Sequence, residues 1–377
     1  MRDPTPEAKQ HGIKVNNYIK QKIQQAGGEI SFAEFMQAAL YAPNLGYYHA
    51  GCTKFGKHGD FITAPMMGTL FAACVANQCS TLLKTTPNGD ILELGAGDGQ
   101  LANNLIKQLN EQHKQSVFNN YFILEPSYEL QTRQKKLLLN DTNYTYKNKI
   151  FWLEQLPINF NGIIVANEVL DALPVSLFTI KNNSIFEKIV TLKKNKFVFK
   201  EKLANPQLAE EIIKLPIYTD NYTNNYTNNI YSSEICLLIP GLIKSLANTL
   251  QRGAILFFDY GFLEQEYYNI VRNSGTLMCH YKHYAHNDPL FSPGLQDITT
   301  HVNFSLVMEH AVKNNLQIAE FSSMANFLIQ NNLQIELNKI TVTNAIQQIS
   351  LNQEINTLIS PHEMGELFKA LILVKNN

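Results

Sequence analysis

The stretch that most constrains the fold is ILELGAGDGQ at positions 91–100, in which apolar residues lead directly into alternate glycines. The apolar run predicts a buried strand, and the residues after the last glycine predict a helix. Gly95, Gly97 and Gly99 permit unusual backbone angles and let a ligand approach the main chain closely. The exposed N–H groups at the start of such a helix favour negative charge or lone pairs. The turn therefore predicts a ligand site at the end of a strand.

The spacing of the glycines argues against two common nucleotide sites. A dinucleotide fingerprint of the form GxGxxG requires glycine at position 100, where this chain has Gln. No GK[ST] follows the turn, so a loop that binds nucleoside triphosphates is excluded as well. A nicotinamide-dependent reductase is accordingly disfavoured.

Strands and helices alternate after Asp90, which predicts parallel strands joined by crossover helices. The predicted strands of this sheet are 90–94, 121–125, 148–152, 162–166, 254–259 and 370–375. The predicted helices are 10–26, 32–41, 66–84, 99–112, 127–139 and 241–251. Residues 174–200 instead predict two or three antiparallel strands. The expected fold is α/β, with a mostly parallel doubly wound sheet and a small antiparallel β insertion.

Composition and charge narrow the classes of function. The chain has 377 residues, of which 45% are hydrophobic and 17% charged, as in a soluble globular protein. A net charge of −1 argues against a nucleic-acid binder that depends on phosphate contacts. The five cysteines form no CxxC pair and predict reduced thiols. The first residues lack the apolar stretch of a signal peptide, and no apolar run approaches about 18 residues, so a cytoplasmic enzyme without membrane insertion is expected.

The spacing E-x-G-x-G-x-G, which begins at Glu93, resembles motif I of class I S-adenosylmethionine methyltransferases. The resemblance implies that Glu93, Gly95, Ala96 and Gly97 contact S-adenosylmethionine. An ordinary tight turn between strand and helix is the alternative for these glycines.

The ends of the next two strands supply further candidates for the cofactor site. Glu125, followed by Pro126, closes the second strand, where an acid can accept hydrogen bonds from both ribose hydroxyls. An acid that only favours the start of a helix is the alternative for Glu125. Trp152 and Leu153 end the third strand, where the adenine is expected in this fold, although Trp152 could equally belong to the core.

Six stretches occur in the order typical of one family: LGYY, GKHGDFITAP, ELGAGDG, ANEVLDALP, FFDYG and DPLFSPGLQDITTHVNF. They resemble the MidA family, which includes a mitochondrial methyltransferase that assists the assembly of respiratory complex I. The similarity covers nearly the whole chain. It implies a class I methyltransferase fold with an added helical and loop region, and S-adenosylmethionine as the cofactor. It also implies methylation of arginine in a protein partner, with a respiratory-complex subunit as one candidate, and it allows a homodimer.

Three positions depart from the family pattern. Met66 stands where the family commonly has glutamate, His301 stands where an aspartate is expected, and Asp98 stands where a basic residue is more frequent. An acid at position 66 could help to hold the methyl acceptor. The departure at Met66 therefore bears on the substrate more than on the cofactor.

The stretch ANEVLDALP places polar side chains at the end of the fourth strand, beside the expected position of the transferable methyl group. Glu168 and Asp171 are predicted as a carboxylate pair that grips the guanidinium of the acceptor, with Asn167 as a polar contact to cofactor or substrate. A short helix whose first turn carries favourable acids is the alternative.

Two loops offer further candidates. In GDFIT, Gly59, Asp60 and Thr63 could cover the amino-acid end of the cofactor, or Asp60 could only shape a turn. Asp259 and Tyr260 end the strand in GAILFFDYG, where they could line the acceptor pocket or Asp259 could cap the loop. Three nearby histidines, 280, 283 and 286, lack the cysteine partners and helical spacing of a metal site, so no metal is expected.

The expected organisation is an N-terminal region over 1–85, with helices and a cofactor-covering loop, followed by a methyltransferase core over 86–377. Insertions in the core are expected at about 174–235 and 262–345. Three functions stay open at this point: a protein methyltransferase, a methyltransferase of a small molecule or lipid, and a non-catalytic assembly module that retains the cofactor pocket.

Overall fold

The structure is a computed structural model that describes residues 5–49, 64–111, 117–140, 146–219, 230–282 and 284–376. Its strands are β1 (Glu29–Ser31), β2 (Asp90–Leu94), β3 (Tyr121–Leu124), β4 (Ile150–Leu153), β5 (Phe160–Asn167), β6 (Ser176–Lys181), β7 (Ser184–Lys193), β8 (Lys196–Leu203), β9 (Ile230–Ile235), β10 (Leu250–Phe262), β11 (Met278–Tyr281), β12 (Tyr284–His286), β13 (Asp297–Thr299), β14 (Val302–Asn303), β15 (Gln317–Ser323) and β16 (Phe368–Lys375). Its helices are α1 (Pro6–Gln25), α2 (Phe32–Tyr41), α3 (Ala64–Met67), α4 (Leu70–Leu83), α5 (Gln100–Glu111), α6 (Tyr128–Leu139), α7 (Pro206–Ile213), α8 (Pro216–Thr219), α9 (Ile239–Thr249), α10 (Glu264–Tyr267), α11 (Phe304–Lys313), α12 (Met324–Gln330), α13 (Leu333–Lys339), α14 (Ala345–Ile359) and α15 (Met364–Leu367). Short 3-10 helices lie at Tyr47–His49 and Lys147–Lys149.

The largest sheet has the strand order β4-β3-β2-β5-β10-β16-β15, and the short β14 pairs with the end of β10. The strands from β4 to β10 are parallel, whereas β16 is antiparallel to both of its neighbours. The chain extends from β2 to β4 on one side and from β5 to β10 on the other, so the strand order reverses between β2 and β5. Ligands of doubly wound sheets bind outside the carboxyl ends of the strands at such a point. The predicted doubly wound fold is confirmed.

Alternate residues of the central strands face two separate cores. Ile163 and Val165 of β5 pack with helices α4 and α5, whereas Ile164 packs with α9 and α11 on the opposite face. Leu256 and Phe257 of β10 divide between the two cores in the same way. Since both faces of the sheet are covered, its strands are nearly continuous apolar runs, which is the pattern that predicted them.

A second sheet is antiparallel and has the order β1-β7-β6-β9, with β8 on β7. Strands β6, β7 and β8 confirm the strands predicted over 174–200, whereas β1 and β9 were not predicted. In β1, Ile30 pairs with Val190 of β7, which joins the N-terminal region to the predicted insertion. Helix α2 begins with a capping box, because the Glu34 N–H donates to Ser31 Oγ at 3.1 Å while the Ser31 N–H donates to Glu34 Oε2 at 2.8 Å.

The single helix predicted over 66–84 is interrupted between α3 and α4. A Cβ atom at Gly68 would lie 1.9 Å from Glu354 Oε2, and the Leu70 N–H donates to Glu354 Oε1 at 2.8 Å. The buried carboxylate of Glu354, on α14, therefore occupies the break and caps the start of α4. An interaction between residues so far apart in the chain has no local signal in the sequence.

Candidate cofactor and acceptor site

A cavity of about 1190 Å3 lies at the carboxyl ends of the parallel strands, at the point where the strand order reverses. Its lining includes the glycine turn after β2 and the ends of β3, β4 and β5, together with Tyr41, Tyr48, Asp297 and His301. Among the described residues that line this cavity, none is lysine or arginine. An acidic cavity of this kind favours cationic occupants.

The glycine turn after β2 has the geometry that its sequence predicts. Gly95, Gly97 and Gly99 have φ angles of 61°, 56° and 87°, a region that side chains disfavour. The Gly95 N–H donates to the carbonyl of Leu124 at 3.0 Å, which fixes the turn against the end of β3. Gly95, Gly97 and the predicted Ala96 all line the cavity.

Glu93 precedes the turn and also lines the cavity, although it is almost fully buried. The hydroxyl of Tyr121 donates to Glu93 Oε2 at 2.6 Å. Burial raises the pKa of Glu93 to about 7, while the hydrogen bond from Tyr121 acts in the opposite direction. Glu93 is thus a buried polar group held by the sheet next to the main chain of the turn.

Glu125 lies at the carboxyl end of β3 and lines the cavity together with the predicted Pro126. Its carboxylate is buried, and Oε1 accepts a hydrogen bond from the Ser127 N–H at 3.0 Å. The position beside the glycine turn is the one from which an acid can hold a ribose.

Trp152 and Leu153 differ in their placement at the end of β4. Leu153 and the neighbouring Glu154 line the cavity, whereas Trp152 does not. Trp152 packs against the core on the α4 side of the sheet, and Lys135 Nζ lies 5.2 Å from the centre of its ring. Trp152 therefore corresponds to the alternative of a core tryptophan. Leu153 lines the cavity, as was predicted for both residues.

The polar stretch after β5 forms turns, not a helix, so the alternative of a helix N-terminus is excluded for the acids at 168 and 171. Glu168 has a φ of 52°, which lies in the left-handed region. Residues other than glycine are uncommon in this region, and asparagine is more frequent there than glutamate. Its N–H donates to the carbonyl of Phe258 at 2.8 Å. Strained residues of this kind persist only where the surroundings hold them, and they cluster at functional sites.

Asp259 supplies the surroundings that hold this stretch. Its Oδ2 accepts the N–H groups of Val169, Leu170 and Asp171 at 3.2, 2.9 and 3.3 Å. The structure thus supports the loop-capping alternative for Asp259, whereas Tyr260 lines the cavity.

The acids predicted to bind the acceptor both line the cavity, where Asp171 is buried and Glu168 is half-buried. Burial and the charge of Asp171 raise the pKa of Glu168 to about 8. Burial also raises the pKa of Asp171 to about 6, against the effect of the Tyr260 hydroxyl, which donates to Asp171 Oδ2 at 2.6 Å. Within the described part of the chain, Asn167 Oδ1 and Asp171 Oδ1 are buried and have no hydrogen-bond partner. Buried polar atoms in this state are suited to a bound ligand.

Further lining residues come from parts of the chain that the sequence did not connect with the site. The Tyr48 hydroxyl donates to Asp297 Oδ1 at 2.9 Å, and both residues line the cavity. The ring of His301 lies edge-to-face with Tyr260, at 5.1 Å between centroids. Burial and the charge of Arg272 lower the pKa of His301 to about 4, so the ring is neutral at neutral pH. Asp297 and His301 both belong to the stretch DPLFSPGLQDITTHVNF, and the resemblance of this stretch to the family pattern was the signal that could have linked it to the site, although His301 itself departs from that pattern.

Several predicted residues lie outside the part of the chain that the structure describes. Gly59, Asp60 and Thr63 fall in the range 50–63, and His283 also lies outside the described residues. Among the residues that are described, no group of at least three His, Cys, Asp or Glu side chains is arranged to hold a metal ion.

The residues present fit S-adenosylmethionine. Glycines at positive φ leave the main chain open to a ligand, and a buried acid at the end of β3 stands where a ribose would be held. The acidic lining suits the sulfonium and ammonium charges of this molecule.

Comparisons with known proteins agree with this geometry. The model of the Methyltransf_28 family, which comprises S-adenosyl-L-methionine-dependent methyltransferases, matches residues 74–322. A protein from Caenorhabditis elegans named protein arginine methyltransferase NDUFAF7 homologue, mitochondrial, is 27% identical over 98% of this chain and 87% of its own length. The mitochondrial protein arginine methyltransferase NDUFAF7 of Danio rerio is 27% identical over 91% of this chain and 83% of its own.

A solved structure is similar over the whole chain. It is a COG1565 superfamily member from Burkholderia thailandensis bound to S-adenosylhomocysteine, with a TM-score of 0.91 and 34% sequence identity. The match covers 100% of this chain and 95% of the other. The predicted cofactor, S-adenosylmethionine, is confirmed by this match together with the family match.

Proposed function

Because the chain belongs to the Methyltransf_28 family of S-adenosyl-L-methionine-dependent methyltransferases, we propose that it methylates a guanidinium nitrogen of arginine in a partner protein. The observation that carries the proposal is the pair of carboxyl groups, the half-buried Glu168 and the buried Asp171, in a cavity whose described lining contains no lysine or arginine. A buried carboxylate is costly unless a cation or hydrogen-bond donors accompany it. A guanidinium provides both, since it carries a charge and five N–H donors in one plane.

The residues divide the cavity into two regions. The turn at Gly95 and Gly97, with Glu93 and Glu125, would hold the cofactor. When bound, S-adenosylmethionine supplies an electrophilic methyl carbon attached to a sulfonium sulfur. Glu168 and Asp171, at the end of β5, would hold the acceptor next to it.

The carboxylates have two tasks in this proposal. The first is to fix the guanidinium so that one nitrogen faces the methyl carbon, because correct orientation of the reacting atoms lowers the barrier to methyl transfer. The second is to accept a proton. Methylation forms a nitrogen–carbon bond, breaks the carbon–sulfur bond and releases one proton from the nitrogen. Glu168 is suited to accept that proton, because burial has raised its pKa to about 8. The neutral His301 adds no positive charge that would repel the acceptor.

The two relatives named protein arginine methyltransferases support arginine as the acceptor. Their identity of 27% covers nearly the whole chain, so the proposal does not depend on a shared fragment.

Methyl labelling in a cell extract tests the proposal. Extract from cells that lack the protein is incubated with the purified enzyme and S-adenosylmethionine carrying a tritiated methyl group, and label is measured in protein, lipid and small-molecule fractions. We expect label in a protein band, and mass spectrometry should locate it on arginine. Label confined to lipid or small molecules, or located on another side chain, would contradict the proposal. Absence of label despite tight cofactor binding would favour a non-catalytic module.

Matched variants connect the label to the site. Glu168→Gln and Asp171→Asn replace each carboxyl group with an amide of the same shape that cannot ionise, and they should lower the rate of labelling by about 10²- to 10⁴-fold while cofactor binding is retained. Glu309→Gln makes the same change at an exposed position on α11 and should leave labelling unchanged.

A further inference from the structure

We infer that Gln134 of α6 is the positioning residue of the cofactor site, because its side-chain amide joins three separate parts of that site. Gln134 is fully buried. Its Nε2 donates to the carbonyl of Gly97 at 2.8 Å and to Glu125 Oε2 at 3.3 Å. Its Oε1 accepts a hydrogen bond from Trp152 Nε1 at 2.8 Å. The inference concerns the cofactor, and it does not depend on arginine being the acceptor.

The three partners explain why this position carries an amide. The Gly97 carbonyl and the Glu125 carboxylate only accept hydrogen bonds, whereas the indole N–H of Trp152 only donates. A glutamine satisfies all three at once, with two N–H donors on one side and a carbonyl on the other. A glutamate would lose both donations, and an apolar residue would remove all three hydrogen bonds.

The first contact acts on the glycine turn. Helix α6 lies close to this turn, since a Cβ atom at Gly99 would come within 3.2 Å of Gln134 Cγ. From this position the amide of Gln134 holds the carbonyl of Gly97, whose φ is 56°. The main chain over which the cofactor lies is therefore fixed from the side of α6 as well as from β3, through the Gly95 N–H.

The second contact acts on the acid that we assign to the ribose. The hydrogen bond from Gln134 reaches Glu125 Oε2, whereas the bond from Ser127 reaches Oε1. Donors to both oxygens orient the carboxylate and favour its ionised form. Gln134 thereby couples the position of the turn to the orientation of Glu125.

The third contact provides a spectroscopic reporter. Trp152 is the only tryptophan in the chain, and its indole N–H is bonded to the same amide that holds Glu125. A ligand that changes the hydrogen bonding of Glu125 should change the environment of this indole through Gln134. The intrinsic fluorescence of the protein should therefore respond to the cofactor, although Trp152 does not line the cavity.

Titration with S-adenosylhomocysteine tests the inference, with tryptophan fluorescence and calorimetry as readouts. The wild type should bind with a change in emission. Gln134→Met keeps the volume but removes all three hydrogen bonds, and it should weaken binding about 10- to 100-fold. Its emission should also stop responding to saturating ligand, which a merely structural role would not require. Gln134→Glu should bind more weakly still, because it places a second carboxylate beside Glu125.

Two further variants complete the design. Lys136→Met introduces the same residue at an exposed position of α6 and should bind like the wild type. Trp152→Phe removes the indole N–H and makes the aromatic ring smaller but leaves the other two hydrogen bonds of Gln134, so calorimetry should show a smaller loss of about 2- to 10-fold, and this variant decides the matter if Gln134→Met does not fold. The inference would be overturned if Gln134→Met folds and binds S-adenosylhomocysteine with wild-type affinity. If Gln134→Met does not fold, wild-type affinity in Trp152→Phe would overturn it. The inference would also be overturned if the tryptophan emission of the wild type did not change when the ligand binds.

Discussion

At the scale of single residues, the site depends on two carboxyl groups whose pKa values are raised by burial. The pKa of Glu168 is raised to about 8 and that of Asp171 to about 6. At neutral pH the empty site therefore contains a protonated Glu168 and a largely ionised Asp171. A cation that enters the site favours the ionised form of both groups, so acceptor binding and proton release are coupled.

This coupling predicts the pH dependence of the reaction. The value of kcat/KM for a cationic acceptor should rise as the pH increases from about 6 to about 8, because the free enzyme must lose the Glu168 proton. The profile of Asp171→Asn should keep one transition, at a lower pH than in the wild type, because the charge of Asp171 contributes to the raised pKa of Glu168. Initial rates with a methyl-accepting peptide, measured from pH 5.5 to 9, test this expectation. A flat profile across that range would contradict the assigned carboxylates.

The same group predicts a pH-dependent change in stability. The folded pKa of Glu168, about 8, lies above its ordinary value of 4.5, so the folded state binds the proton more tightly than the unfolded state. The cost of ionising this residue therefore develops as the pH rises from 4.5 to about 8. Glu168→Gln should raise Tm above pH 8 and have little effect at pH 5. Differential scanning calorimetry of the variant and the wild type at pH 5 and above pH 8 tests this expectation. An equal change in Tm at both pH values would contradict it.

At the scale of elements, the end of β10 organises the stretch after β5. Three consecutive N–H groups point at one carboxylate oxygen of Asp259, and this arrangement keeps Glu168 in its left-handed conformation. The sequence around either segment does not predict this interaction, because the stretch after β5 and the end of β10 are separated in the chain by the whole antiparallel insertion.

Asp259→Asn should therefore act through Glu168. An amide at this position accepts hydrogen bonds less strongly than a carboxylate and can present N–H groups to the loop, so a displacement of the carboxylate at 168 is expected. We predict a loss of about 100-fold in kcat with cofactor affinity unchanged. In the background of Glu168→Gln the same substitution should cause little additional loss. Equal losses in both backgrounds would show that Asp259 acts independently of Glu168.

Sequence patterns predicted the elements of the central sheet well, because strands covered on both faces are continuous apolar runs bounded by turn residues. They did not predict β1, which has only three residues, Glu29–Ser31. They placed Glu168 and Asp171 correctly at the end of a strand, but the turn that carries them was open to interpretation as a helix. Gln134 was missed because a buried glutamine within a helix has no distinguishing local signal.

At the scale of the whole molecule, the N-terminal region and the antiparallel sheet share one core. Phe35 of α2 packs within a cluster that includes Ile19 of α1 and Val190 of β7. Tyr41 connects this region to the site, because its hydroxyl donates to the carbonyl of Ala172 at 3.0 Å. No helix in the described ranges has both the length and the apolar character needed to cross a bilayer. The domain boundaries, the homodimer and the cytoplasmic location that were expected from the sequence stay predictions.

The shared core predicts that the N-terminal region unfolds with the rest of the chain. Phe35→Ala should lower the free energy of unfolding by about 3–5 kcal/mol, since it removes a fully buried aromatic ring. Ile13→Ala, at a position of α1 whose side chain is 59% exposed, should change it by less than about 0.5 kcal/mol. Thermal unfolding of Phe35→Ala should remain a single transition at lower temperature. Two separate transitions would indicate that the N-terminal region is an independent unit.

The most direct measurement of the central claim is a crystal structure of the protein with S-adenosylhomocysteine and an arginine-containing peptide from the labelled substrate. The account predicts the ribose hydroxyls on Glu125, the amino-acid part over the glycine turn at Gly95 and Gly97, and the arginine guanidinium between Glu168 and Asp171. An adenosine bound away from Glu125, or a guanidinium that contacts neither Glu168 nor Asp171, would contradict it.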